Sequence, residues 1–297
     1  MIDRKKDHTS VLLLLLLLAA FSLRVYGINW DDGHMFHPDE RFILMVTQKL
    51  ALPSPLNLST IATPKSPLNP QSFAYGSLSF YLLAIVTQLL VKLSPLLQPL
   101  TGHPIQADLE NMRLIGRAIS ATFDTGTVLL TYMLGKRLYN SRVGLLGAAF
   151  VAFSVIDIQL SHFYASDTLL TFFIVLSTLA AFRLIKLAGT MESVLVGGAI
   201  GLAMATKVSA APIWVVVAAA HGLRLFTKPT DKEEKGLVPR RPETREVGDT
   251  VLSLIVSLCT AAIVFVVIQP YFIFDFSTFV RNVMEQSDMV RGIADLP

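Results

Sequence analysis

Apolar runs long enough to cross a bilayer, each bounded by basic clusters, constrain this chain of 297 residues more than any other feature. A crossing takes about 20 mostly apolar residues. Val11–Gly27 qualifies behind Arg4, Lys5 and Lys6, and Met112–Leu134 and Val143–Leu160 flank Lys136, Arg137 and Arg142. Thr168–Leu187 carries Arg183 and Lys186 near its end, and Val251–Ile268 runs into Gln269-Pro270, where the proline marks a stop. The stretch 194–225 is too long for one crossing and is interrupted by Lys207 and Pro212, so it divides into 194–206 and 210–225. With 53% hydrophobic residues, 16% charged residues and a mean hydropathy of +0.56, a soluble domain, a disordered chain and a disulfide-stapled fold are excluded. The single cysteine, Cys259, can form no intrachain disulfide. The pI near 9.0 comes from short basic clusters beside apolar runs rather than from one basic face, so no nucleic-acid partner is expected. The expected fold is all-α, a polytopic helical bundle surrounded by membrane lipids.

Charge sets the expected topology. Arg4, Lys5 and Lys6 direct the first helix from inside to outside. The run 73–97 is long enough to cross, but a crossing there would put both later basic loops outside. Laid along the outer interface as a juxtamembrane helix, it leaves seven crossings and one long external loop, Ile28–Asn111. The segment 161–167 and the residues around Lys207 then lie outside, the polar linker 226–246 inside, and 271–297 outside. The whole forms one membrane domain.

The external loop holds His37-Pro38-Asp39-Glu40-Arg41 ahead of a short amphipathic stretch. Pro38 suits the first position of a helix and the acids suit its first turn, which is a structural reading. The functional reading is a carboxylate pair at the membrane surface, able to deprotonate an acceptor or bind a cation. Asp167, in YASDTLLTFF, starts a crossing on the same side, either as part of a Ser166/Asp167 cap or as a second acid over a shared cavity. Tyr164 reads as an interfacial anchor. Lys207 interrupts an apolar run, either snorkelling or offering a point charge to a phosphate. Arg113 and Arg117 lie four apart at a helix start, where the dipole disfavours cations, so an external anion is a reason for them. Asp124 lies deeper on that face, within pairing reach of Arg117, and Asp157 lies near the exit of the next span. No Walker loop, dinucleotide fingerprint, zinc spacing or G-x-S-x-G elbow occurs, which disfavours a cytosolic nucleotide substrate and favours a membrane-borne donor.

The order of these features resembles a known family. HPDER and FAYGSLSFYLL in the first loop precede MRLIGRAISATFDTGTVLLTYMLGKRLYNSRVGLLGAAFVAFS, SHFYASDTLLTFF and GLAMATK. This is similar to the GT-C superfamily of integral-membrane glycosyltransferases. Within it, the chain resembles the lipid-carrier-dependent branch of protein O-mannosyltransferases and aminoarabinose transferases acting on lipid A, from about Val11 to Arg291. The resemblance implies a polyprenyl-phosphate-linked sugar donor and inverting transfer, on the non-cytoplasmic face of the cell membrane, to a glycan, protein or lipid acceptor. It implies that Asp39, with Glu40 beside it, and Asp167 are the catalytic acids. Lys207, which follows Thr206, is implied to hold the carrier phosphate with Arg113 or Arg117 assisting. A divalent metal at Asp39, Glu40 and Asp167 is left open. Family members usually have more crossings, so the chain reads as an N-terminal portion. Two other readings stand beside this one: a transporter or lipid flippase coupled through Asp124 and Asp157, and a non-catalytic membrane fragment.

Overall fold

The computed structural model describes residues 8–52, 57–187, 189–226 and 247–292, and among these no strand occurs. The basic flank Arg4–Lys6, the linker past residue 226 and the last five residues of the external segment lie outside the described residues. The elements are α1 (Thr9–Val25), α2 (Pro38–Lys49), α3 (Leu58–Ile61), α4 (Ser77–Thr101), α5 (Leu109–Leu138), α6 (Ser141–Ala152), α7 (Val155–Ser161), α8 (Ser166–Leu187) and α9 (Thr190–Thr206). A 3-10 turn (Val208–Ile213) leads to α10 (Trp214–Phe226), then α11 (Val247–Ile268), α12 (Tyr271–Phe274) and α13 (Phe276–Val290).

Among the described residues three helices, α4, α8 and α11, are long and apolar enough to cross a membrane, and the pair α6–α7 joins them if it counts as one broken span. The run 143–160 is therefore not one straight helix: α6 and α7 meet at 58°. Arg24 at the end of α1 explains where it breaks, because its guanidinium donates to the carbonyls of Val151 and Ala152. Those carbonyls end α6; Val151 also accepts from the Ser154 N–H at 3.3 Å, while the side chain supplies a donor to Ala152. The run 73–97 forms most of α4. Of its buried residues, Ser77, Ser79, Phe80, Leu83 and Thr87 lie in the first half, while the second half carries Pro95, Pro99 and a single buried residue, Ser94.

Helices α5, α8, α9 and α11 form the packed centre, with α6 against α5. Small residues set the closest approach, as they do where lipid gives no hydrophobic drive between helices. A Cβ on Gly197 would lie 2.3 Å from the Ser257 carbonyl oxygen and one on Gly201 2.7 Å from that of Ala261, so α9 and α11 pack backbone to backbone.

The segments after α11 fold back onto the first long loop. The Gln269 side-chain oxygen accepts from the backbone of Ser77, Asn282 accepts from that of Phe73, and Asn69 donates to Asp275. The Tyr271 hydroxyl donates to Ser66 or to the Ile61 carbonyl. Loop residues 57–76 are thus fastened from both sides.

Candidate active site

Six elements bring chemistry to one end of the bundle: the loop after α1, the first turn of α2, the loop before α4, the start of α5, the start of α8 and the end of α9. In α2, Pro38 occupies the first turn with Asp39 and Glu40. Being adjacent, the two acids diverge around the helix, and they meet different surroundings.

Glu40 is fully buried and points inward. Its two oxygens take a bidentate pair from Arg117, at 2.8 Å and 2.7 Å, and the backbone N–H of Tyr164 adds a third bond at 3.0 Å. Asp31, in the loop after α1, is the second partner of Arg117 (2.7 Å) and the main partner of Arg113 (2.7 Å). Burial works against the Asp31 carboxylate, but Arg117, Arg113 and the Gly33 N–H outweigh it and hold the group down at about 2. Bidentate guanidinium geometry of this kind fixes both orientation and charge.

The expectation that Arg113 and Arg117 face an external phosphate is therefore not what the fold builds. Both guanidiniums are buried, and their N–H groups go to Asp31, Glu40, Asn29 and the Ile28 carbonyl. Within the protein, these carboxylates supply the anion that the two helix-start arginines need. Asp124 is likewise not the partner of Arg117, because Arg24 reaches it first in a buried pair. The reason is register: Asp124 lies about two turns below Arg117, level with the end of α1.

Asp39 takes the other direction. It is partly exposed, and its carboxylate acts electrostatically on the Tyr75 phenol. Asp167, in the first turn of α8, pairs with the Lys207 ammonium at 3.2 Å; these two side chains are 38% and 26% exposed, so solvent and ligands reach both. Ser166, which begins the helix, has a buried hydroxyl without a partner, so no Ser166 side-chain cap forms. The Lys207 ammonium also lies 5.8 Å from the centre of the Tyr75 ring, within cation–π range. Burial, the Asp39 carboxylate and then Asp167 push the Tyr75 phenol above its ordinary value, so it stays protonated. Asp39, Tyr75, Asp167 and Lys207 thus form one partly exposed polar cluster, with the Glu40–Arg117–Asp31–Arg113 network buried behind it.

Two glycines make this assembly possible. Gly76 donates its N–H to the Thr206 carbonyl (2.9 Å), and a Cβ there would lie 1.8 Å from the Ala205 oxygen. That contact sets Tyr75 beside Lys207. A Cβ on Gly116 would lie 2.6 Å from the Tyr164 ring, so only glycine admits that ring against α5. Tyr164 is no interfacial anchor. It is fully buried, with its hydroxyl on the Ser79 carbonyl at 2.7 Å and its N–H on Glu40. Among the described residues no three His, Cys, Asp or Glu side chains come together as ligands for a metal ion. Of the three acids considered for that role, Glu40 is committed to Arg117.

The bundle is similar to the solved structure of the Saccharomyces cerevisiae protein O-mannosyltransferase Pmt1–Pmt2 complex bound to the sugar donor. The TM-score is 0.59 at 16% identity, over 94% of this chain and 35% of that one. The chain has the GT-C fold. It spans about a third of the length of that mannosyltransferase, 35%. Residues 110–232, from the start of α5 through α10, match the model of the dolichyl-phosphate-mannose-protein mannosyltransferase family. No curated protein matches. On the GT-C fold of this chain, the matched stretch contributes Arg113, Arg117, Asp167 and Lys207, while Asp31, Asp39, Glu40 and Tyr75 precede it. Sequence reasoning missed Asp31, Tyr75 and Arg24. A buried arginine needs an acid, which was the available signal for Asp31; nothing local distinguished Tyr75.

Proposed function

We propose that this chain is a membrane glycosyltransferase that moves a sugar from a polyprenyl-phosphate-linked donor to an acceptor on the non-cytoplasmic face, with inversion. The observation that carries the reading is the partly exposed ion pair of Lys207 with Asp167, beside the Tyr75 ring and the phenol on which the partly exposed Asp39 carboxylate acts. Asp39 takes the proton from the acceptor hydroxyl or amine as its heteroatom attacks the anomeric carbon. The bond from that carbon to the phosphate oxygen breaks, and the phosphate leaves with the electron pair. Lys207 neutralises the charge growing on the departing phosphate. Asp167 holds the ammonium when no phosphate is present and shares it when one arrives. The displacement needs no protein nucleophile. Glu40, Arg117, Asp31 and Arg113 keep the first turn of α2 fixed against α5, so that Asp39 is held rather than mobile.

The face is argued from charge. Lys136 and Arg137 close α5, and Lys186 closes α8, whereas the cluster lies at the starts of both helices. Basic ends favour the cytoplasm, which supports a non-cytoplasmic site in the cell membrane. The family description and the donor-bound state of the similar structure support a lipid-linked sugar donor. The transporter reading loses ground because Asp124, its coupling acid, is closed by Arg24.

The experiment is transfer of labelled sugar from a polyprenyl phosphate carrier in proteoliposomes. Asp39→Asn is expected to lower turnover by about 100-fold or more while carrier binding and thermal stability persist. No transfer by the unaltered chain refutes the reading, and full turnover by Asp39→Asn removes Asp39 as the base.

A further inference from the structure

The loop between α1 and α2 reaches inward with Asp31 and outward with a set of rings. Tyr26, Trp30 and Phe36 are 83%, 47% and 64% exposed. Trp30 meets Phe36 at 5.9 Å and Phe163 edge-on at 5.7 Å, and the His34 ring stacks on Phe36 at 5.6 Å. An exposed apolar patch of this kind marks an interaction surface. We infer that this loop is a membrane-surface anchor: its rings seat in the lipid headgroup layer at the site's end of the bundle and fix the depth of the site there. No role of Asp39 or Lys207 in sugar transfer is needed for it.

Continuity decides the occupant. Leu14, Leu15, Leu18 and Phe21 on α1 are exposed, as a lipid-facing stripe is, and Tyr26 and Trp30 follow at the end of that helix. Beside them α7 exposes Val155 and Ile156, and His162 at its end places Nε2 2.8 Å from the Tyr26 carbonyl oxygen. The rings thus prolong an apolar surface suited to acyl chains, at the level where α1 stops. Tyr26, Trp30 and His34 combine an apolar body with a polar tip, which suits the headgroup layer. The anchoring expected of Tyr164 falls to these residues instead.

The backbone that presents the rings is strained and tied to the site. Asp32 and Met35 take φ of 48° and 49°, a region that residues other than glycine rarely adopt. Such a conformation persists where its surroundings over-determine it. Here the Asp31 carboxylate does so, accepting from the N–H groups of Gly33 and Met35. Arg113 and Arg117 hold that carboxylate, and the Arg117 guanidinium carbon lies 5.9 Å from the centre of the Trp30 ring. Arg117 also grips Glu40 in the first turn of α2. The depth of the rings is therefore transmitted to α2, and to Asp39 beside Glu40.

The chain has two tryptophans, Trp30 and Trp214. In Trp214→Phe, the emission of Trp30 is followed in phosphatidylcholine vesicles that carry a nitroxide either on the headgroup or midway along the acyl chain. The headgroup label should quench about twofold more than the mid-chain label, and iodide on both sides of the vesicle should quench weakly. Should Trp214→Phe fail to fold, the difference between the unaltered chain and Trp30→Phe gives the same signal. Tyr26→Ser/Phe36→Ser removes two exposed rings, keeps the backbone bonds, and should raise iodide quenching of Trp30 about twofold. Strong quenching by iodide with little effect of either lipid label overturns the anchor and leaves the rings to a water-borne acceptor. Stronger quenching by the mid-chain label overturns the headgroup depth. An unchanged iodide response in the double variant overturns the part given to Tyr26 and Phe36. These readings need neither donor nor acceptor, so a failed transfer assay counts against the proposed function alone.

Discussion

Replacing Arg117 with methionine tests the buried network most directly. The guanidinium makes two bonds to Glu40, two to Asp31 and one to the Ile28 carbonyl. Without it, Asp31 keeps Arg113 and the N–H groups of Gly33 and Met35. Glu40 keeps only the Tyr164 N–H, and it is fully buried. The dominant effect is thus one uncompensated internal carboxylate, for which breaking a buried pair costs about 3–5 kcal/mol. For a chain of this size that corresponds to a melting temperature lower by roughly 6–10 °C. Unfolding can be followed in detergent by tryptophan fluorescence, since Trp30 lies 5.9 Å from the Arg117 guanidinium carbon. Arg117→Met/Glu40→Gln should recover more than half of the loss, because the amide oxygen still accepts from Tyr164 and no charge is stranded. A single variant as stable as the unaltered chain, or a double variant no better than the single, would refute the network as the clamp on α2. Normal stability in Arg117→Met combined with lost carrier binding would restore the arginine as a phosphate ligand.

Two further outcomes follow from the same geometry. The Asp31 carboxyl sits below its ordinary value in the folded chain, so its contribution to stability is complete above about pH 4 and disappears as pH falls towards 2; the difference in melting temperature between the unaltered chain and Asp31→Asn should shrink across that window, and a constant difference would count against the assignment. Gly76→Ala places a methyl group into the backbone at Ala205 and Thr206, which must separate; stability and decaprenyl phosphate affinity should both fall, and an alanine variant that binds normally would show that this contact does not set the site.

Two of the expected apolar runs, 168–187 and 251–268, fall in helices long and apolar enough to cross because length and hydropathy are local properties, and the start of α2 was legible too, where proline and two acids mark a first turn. The alternation of crossings put Asp167 and Lys207 on one side, and the two do pair. Pairings were not legible. The four-residue spacing of Arg113 and Arg117 defines a shared face, but their anion comes from Asp31, in a loop that reads as an ordinary turn. Arg24 looks like a flank of the leucine-rich helix, and only its contact with α6 shows that it holds a carboxylate and two carbonyls inside the bundle. The bend between α6 and α7 was hidden for the same reason, since its cause lies more than a hundred residues upstream. The juxtamembrane assignment of 73–97 rested on charge balance, whereas length and composition alone make α4 a candidate span.

The fastening of the first loop by Gln269, Asp275 and Asn282 has a consequence for biosynthesis. The bonds Asn69–Asp275, Phe73–Asn282 and Ser77–Gln269 join positions 206, 209 and 192 residues apart. During insertion by the translocon, the loop bearing Tyr75 is synthesised early yet must wait for these late-emerging amides and carboxylates before it can settle. The loop is thus fastened only after Asn282 has been made, and a ribosome stalled before Gln269 would leave a membrane-inserted intermediate whose loop is still unfastened.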